Sequence, residues 1–232
     1  MHVLVLFAHP RRDAFTGELA DAFCQGLREA GHSVEFADLY AEGFDPLLEA
    51  GQFALETGLD PQAPRPADVE AQQVRLDRAE GLVFIYPFWW SDVPAILKGW
   101  FDRVMAYGFA YADGQRYDTG YFRGRRGILG ITTGGTLERF SEGGAFGDMS
   151  LVLHGVQHCM LEYLGLDTGV PFVAYATPRV APAQRQEYLV QWRGRIASLC
   201  NDPEWIEQVR QRRTTRQQTR GVDSAPGWAS NN

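Results

Sequence analysis

Three short segments of this 232-residue sequence gather residues able to do chemistry. "AHPRRDAFTG" (8–17) sets His9, two arginines and Thr16 just before an apolar-periodic stretch. Such a stretch starts a helix, whose free N–H groups favour an anion. The segment holds neither GxGxxG nor GxxxxGK[ST], so neither glycine-rich nucleotide loop is present. A plainer alternative is that His9 and Thr16 only cap the helix. "PFWWSDVP" (87–94) puts Phe88, Trp89 and Trp90 in a turn, where small polar residues are usual. A flat polycyclic ligand lying on that shelf would explain them, and an isoalloxazine ring needs such stacking and exclusion of water. The competing explanation is a core or subunit contact. "TTGG" (132–135) supplies two hydroxyls and two backbone stretches without Cβ, whose N–H groups can approach the polar edge of a ring.

These segments need strands to carry them, and the apolar pattern supplies strands. "HVLVLFA" (2–8), "EGLVFIYP" (80–87) and "RRGILGITT" (125–133) are near-continuous apolar runs, as in strands buried on both faces of a parallel sheet. "SVEFADL" (33–39) alternates, and "TGVPFVAYA" (168–176) reads as one further strand. Helical spacing marks 14–30, 67–79, 93–106, 149–164 and 182–199, with Gly31 and Gly165 as stops. Ser91 or Asp92 is the expected cap of the 93–106 helix, with Pro94 in its first turn. Residues 48–66 are Pro- and Gly-rich with little periodicity and are expected to form a long loop. The order predicts an α/β, flavodoxin-like, doubly wound sheet of five parallel strands with helices on both faces. In such sheets ligands bind beyond the carboxyl ends of the strands, where the strand order reverses. All three segments end strands there.

Bulk properties narrow the class. The chain is 45% hydrophobic and 22% charged, enough for a sizeable core over residues 1–200. A net charge of −7 argues against a nucleic-acid partner. No apolar run approaches the roughly 20 residues needed to cross a bilayer, and the first residues read as a strand, not as a signal peptide. Cys24, Cys159 and Cys200 show neither paired nor metal-like spacing, so reduced thiols in a cytoplasm are expected. Residues 201–232 are polar, with Arg210, Arg212, Arg213, Arg216 and Arg220, and read as a flexible, solvated tail.

"PFWWSDVPAILKGWFDRVMAYGFAY" (87–111) resembles the signature stretch of the flavin-dependent NAD(P)H:quinone oxidoreductases, the DT-diaphorase-like family. "AHPRRDAFTGELADAF" (8–23), "DLYAEGFDP" (38–46) and "ITTGGT…GGAFGDM" (131–149) match in the same order, so the resemblance covers about residues 1–200. It implies a homodimer that binds flavin, usually FAD, and passes a hydride from NAD(P)H to a quinone or similar acceptor by a ping-pong route. By position, His9, Phe15 and Thr16 would hold the phosphate and ribityl part. Phe88, Trp89, Trp90 and Ser91 would line the isoalloxazine, with Thr132, Thr133, Gly134 and Gly135 along its polar edge. Arg185, seven residues before Trp192, matches an arginine used near the adenylate. Tyr111 would reach from one subunit toward the acceptor pocket of the other.

The departures bear on mechanism. Where the family places a tyrosine and a histidine beside the flavin, this sequence has Phe140 and Phe146, which can neither donate a hydrogen bond nor shuttle a proton. A second pocket tyrosine is replaced by Asp113, which would favour a more polar or cationic acceptor. Some relatives bind a metal through two histidines and a cysteine. His154 and His158 share a helical face, but Cys200 does not align, and no metal site is expected. Two alternatives stay open: an FMN-dependent nitro- or azo-compound reductase of the same fold, and a flavin-binding regulatory subunit of a potassium-efflux transporter.

Overall fold

A computed structural model describes residues 1–196 and 199; the Arg-rich segment 201–232 and Cys200 lie outside the described residues. The order is β1 (His2–Phe7), α1 (Phe15–Glu29), β2 (Ser33–Asp38), α2 (Ala50–Thr57), α3 (Ala67–Arg78), β3 (Gly81–Pro87), α4 (Ala95–Val104) and β4 (Arg126–Thr132). Short helices α5 (Met149–Val152) and α6 (His154–Val156), then β5 (Asp167–Thr168), β6 (Phe172–Ala174) and α7 (Pro182–Gly194), complete it. All pairings are parallel, in the order β2-β1-β3-β4-β5, with β6 also on β4. The strand order reverses between β1 and β3, as expected for this class.

The continuous apolar runs have a simple cause. Successive side chains of a strand point to opposite faces. Val3, Val5 and Phe7 face α1 and α7, while Leu4 and Leu6 join Leu82, Phe84 and the apolar side of α4. Trp192 of α7 stacks on Phe23 with ring centroids 4.1 Å apart and lies against β4 at Gly130. A Cβ at Gly130 would come within 2.6 Å of the indole, so only glycine permits this contact. Losing so large a buried ring, as in Trp192→Ala, costs about 3–5 kcal/mol.

Four expectations are corrected. The fifth strand is two short pieces that both pair parallel with β4, because Pro171 between them has no N–H for the ladder. The 48–66 segment contains α2, which lacks an apolar stripe. Its buried residue Gln52 donates to the Arg103 carbonyl (2.8 Å) and accepts from Arg103 Nε (3.1 Å), so distant polar contacts hold it. Helix α4 begins at Ala95 with Pro94 as N-cap, not Ser91 or Asp92. The expected 149–164 helix is broken into α5, α6, a π-turn (Gln157–Leu161) and a 3₁₀ turn (Glu162–Leu164), ending at Gly165 with φ +92°.

Candidate active site at the strand switch point

A cavity of about 490 Å³ opens where β1, β3 and β4 end. One wall is the start of α1. Its N-cap is Ala14, which offers no side-chain acceptor, so the first-turn N–H groups lack a side-chain cap. Ala14, Phe15 and Thr16 all line the cavity. Thr16 does not cap the helix; its Oγ1 lies 2.8 Å from Thr132 Oγ1 and joins α1 to the end of β4. His9 Nδ1 accepts from the Arg11 N–H (2.9 Å) when bare, or donates to the Arg11 carbonyl (2.8 Å) when protonated. Burial pushes the His9 imidazole below its ordinary pKa, with the Arg11 carbonyl pulling the other way. Arg11 pairs with Asp13 (2.8 Å) at the exposed mouth.

The opposite wall is the end of β3 and β4. Phe88 is buried and Trp89 is 43% exposed, its ring 5.8 Å from His9; both line the cavity. Thr132, Thr133 and Gly134 form the edge. The carbonyls of Thr133, Gly134 and Gly135 are taken by Thr177 N–H, Arg179 and Ala176 N–H respectively, which fixes the loop. A Cβ at Gly134 would meet nothing within 4 Å, so this glycine keeps space open for something other than protein.

Arg185 closes the third side. It lies two turns before buried Trp192 on α7, and that spacing aims both inward. Its guanidinium sits over Phe15 (5.5 Å), and Nη2 donates to the Thr177 carbonyl (3.2 Å). Nε is buried with no partner among the described residues, although the residue lines the cavity. Buried donors are rarely left unpaired. An orphaned cationic donor beside an uncapped helix start suits a ligand with an anionic group and a flat ring.

Other expected site residues lie elsewhere. Trp90 is 100% exposed and Ser91 is exposed; both have positive φ (+54° and +60°), and neither lines the cavity. Gly135 serves the protein rather than the ligand edge: a Cβ there would strike Phe140 at 2.4 Å. Phe140 is buried among Phe88 (6.0 Å), Phe146 (5.0 Å) and Tyr175 (6.2 Å), and Phe146 is half-exposed under Arg139. Neither lines the cavity. Tyr111 packs on Tyr107 and Tyr163, also away from it. Thr177 and Pro178 do line it and were not anticipated. They lie three and four residues beyond the end of β6, so the strand-end rule applied to the last strand would have found them.

Comparison with known proteins decides the family. A family model described by its flavodoxin-like fold matches residues 1–196. NAD(P)H dehydrogenase [quinone] 1 of Rattus norvegicus is 34% identical over 212 residues, covering 86% of this chain and 77% of the relative. The chain belongs to the NAD(P)H:quinone oxidoreductase family. Within that family, the ribosyldihydronicotinamide dehydrogenase [quinone] of Homo sapiens is 30% identical, covering 86% of this chain and 92% of its own. The structure of the NAD(P)H:quinone oxidoreductase from Methanothermobacter marburgensis matches with a TM-score of 0.72 at 34% identity, covering 84% of this chain and 94% of that one. An FMN-dependent NADH-azoreductase from Bacillus anthracis is 18% identical with a TM-score of 0.66 and shares the fold alone. The oxidoreductase family thus fits better than the azoreductase alternative. Among the described residues, no group of three or more His, Cys, Asp or Glu side chains is placed to hold a metal, and no helix is long and apolar enough to cross a membrane.

Proposed function

We propose that this protein is a flavin-dependent oxidoreductase that takes a hydride from NAD(P)H and delivers it to a quinone-like acceptor. The observation that carries this reading is that Arg185, whose buried Nε has no partner among the described residues, lines the same cavity as the uncapped start of α1. That donor set fits a flavin whose phosphate meets α1. When bound, a flavin supplies hydride acceptance and donation. The residues supply binding and orientation. First-turn N–H groups, with His9 and Thr16 beside them, hold the phosphate and ribityl part, and Arg185 neutralises negative charge. The Arg185 guanidinium lies over the Phe15 ring. Phe88 and Trp89 exclude water from one face of the ring, and Thr133 and Gly134 meet its polar edge. FAD is the favoured flavin, with FMN the alternative.

NAD(P)H and acceptor use one open mouth in turn, a ping-pong order. Tyr111 lies outside the cavity of its own chain, which supports a homodimer in which it serves the partner's site. The exposed Trp90 and Ser91 fit the same arrangement. Free thiols at Cys24 and Cys159 support a reducing, cytoplasmic setting.

An absorption spectrum of the purified protein, before and after anaerobic NADPH, tests the proposal. Bands near the usual flavin positions that bleach on addition are expected, with FAD released on denaturation. Bands that bleach with neither nicotinamide would point instead to the regulatory subunit, a reading that the loss of proton-carrying side chains at Phe140 and Phe146 favours. A colourless protein that takes up neither FAD nor FMN would overturn both.

A further inference from the structure

The 48–66 segment, expected from sequence to be a loop, grips with α3 the end of α4 and the backbone just beyond it. The last carbonyls of a helix have no partner within it. Here Gln52 and Gln73 donate to the carbonyls of Arg103 and Val104 (2.8 and 2.9 Å). One turn further on, Tyr107 is held at both backbone groups. Its N–H donates to Glu56 Oε2 (2.9 Å), and its carbonyl accepts from Arg65 Nη2 (2.8 Å). Glu56 and Arg65 are themselves paired, Nη1 to Oε1 at 2.6 Å, with side chains only 14% and 7% exposed. Gly108, at φ +76°, lies directly against Pro61, where any Cβ would collide at 2.4 Å.

The turn so clamped presents Tyr111. Gly108 N–H donates to the Tyr111 carbonyl (2.8 Å), and the Tyr107 and Tyr111 rings meet edge to face at 5.7 Å. We infer that Glu56 and Arg65 are positioning residues for the acceptor, acting through Tyr107 to fix where Tyr111 is presented. The inference rests on the reading of Tyr111 as the acceptor-facing residue. A buried ion pair that only filled space would be a poor choice, since apolar residues of like volume are often as stable. This pair instead sets both its charges on the two backbone groups of one residue, in the peptide units that flank Tyr107.

The environment of Tyr111 offers a test independent of turnover. Its phenol is raised above the ordinary value, chiefly by burial, then by Glu56, Tyr163 and Tyr107, while Arg65 pulls it down. With the whole chain labelled with ¹³Cζ-tyrosine, and the Tyr111 signal assigned by Tyr111→Phe, two variants separate the possibilities. If the pair fixes the turn, Glu56→Gln and Arg65→Gln should both release Tyr111 from burial and lower its titration midpoint toward the ordinary value. Opposite shifts, down for Glu56→Gln and up for Arg65→Gln, are what loss of a charge beside an undisplaced ring gives, and that result would overturn the inference. In turnover, either substitution should raise the acceptor KM about ten- to a hundredfold, the scale of a misplaced contact, with flavin content unchanged. In a Tyr111→Ala background the same substitutions should add little; full additivity would overturn the inference. If Arg65→Gln fails to fold, Arg65→Lys replaces it: it retains the charge but cannot make both contacts, so a lowered midpoint with a raised KM is expected, and an unchanged midpoint with an unchanged KM would overturn the inference. A wild-type chain that binds no flavin would sink the functional reading alone, and the titrations would still decide the clamp.

Discussion

Thr16 and Thr132, 116 residues apart, share a buried hydroxyl–hydroxyl hydrogen bond of 2.8 Å. It ties the first turn of α1 to the end of β4, the two walls on which the ligand would rest. Thr16→Val leaves the Thr132 hydroxyl buried and unpaired, a cost of about 1–3 kcal/mol. The double variant Thr16→Val/Thr132→Val should cost clearly less than the sum of the singles. Urea unfolding of the four proteins checks this, and additive losses would contradict it.

Adjacent glycines should behave oppositely. At Gly134 a side chain meets open space, so Gly134→Val is expected to fold with an unchanged melting temperature and to bind flavin at least about tenfold more weakly, as a blocked contact implies. Gly135→Ala collides with Phe140 and should lose about 1–3 kcal/mol of stability through overpacking. Calorimetry and flavin titration on both variants make the comparison.

Trp90 combines a left-handed backbone with complete exposure. Neither feature helps an isolated chain fold. Trp90→Gly is therefore expected to keep or raise stability, by up to about 1–2 kcal/mol from relieved backbone strain. Trp90→Ala should likewise stay folded, yet bind flavin more weakly if the assembled dimer uses the indole. Unfolding curves and flavin occupancy, measured side by side, separate the two effects.

Acid should weaken the fold partly through His9. Its folded pKa is depressed, chiefly by burial, so the unfolded chain takes up the proton first. Stability contributed by the neutral ring is therefore complete above the unfolded value of about 6.5 and is lost as pH falls below it. His32 is depressed in the same direction, so His9→Gln should flatten the pH dependence between 7 and 5 without abolishing it. Urea midpoints across that range measure the slope, and an unchanged slope would refute the assignment.

The polypeptide order alone settled much of this. Runs such as "HVLVLFA" and "RRGILGITT" must be strands covered on both faces, because each alternate side chain needs its own apolar partner. Five such strand positions with helices between them place the three chemistry-bearing segments at one end of the sheet. His9, Phe88, Thr132, Thr133 and Gly134 are accordingly found around one cavity, with Arg185, assigned by the family resemblance, beside them.

What the sequence could not decide are contacts between residues distant along the chain. Nothing local distinguishes Gly134, which faces open space, from Gly135, which seats Phe140. Helix α2 has no apolar periodicity, because its anchor is Gln52 on Arg103. Trp90, which residue type and family resemblance set against the ligand, stands fully exposed in this chain on a backbone of positive φ. Local pattern records which residues avoid water; which polar atom meets which, and where a turn throws its side chain, is fixed only when the remote segments pack together.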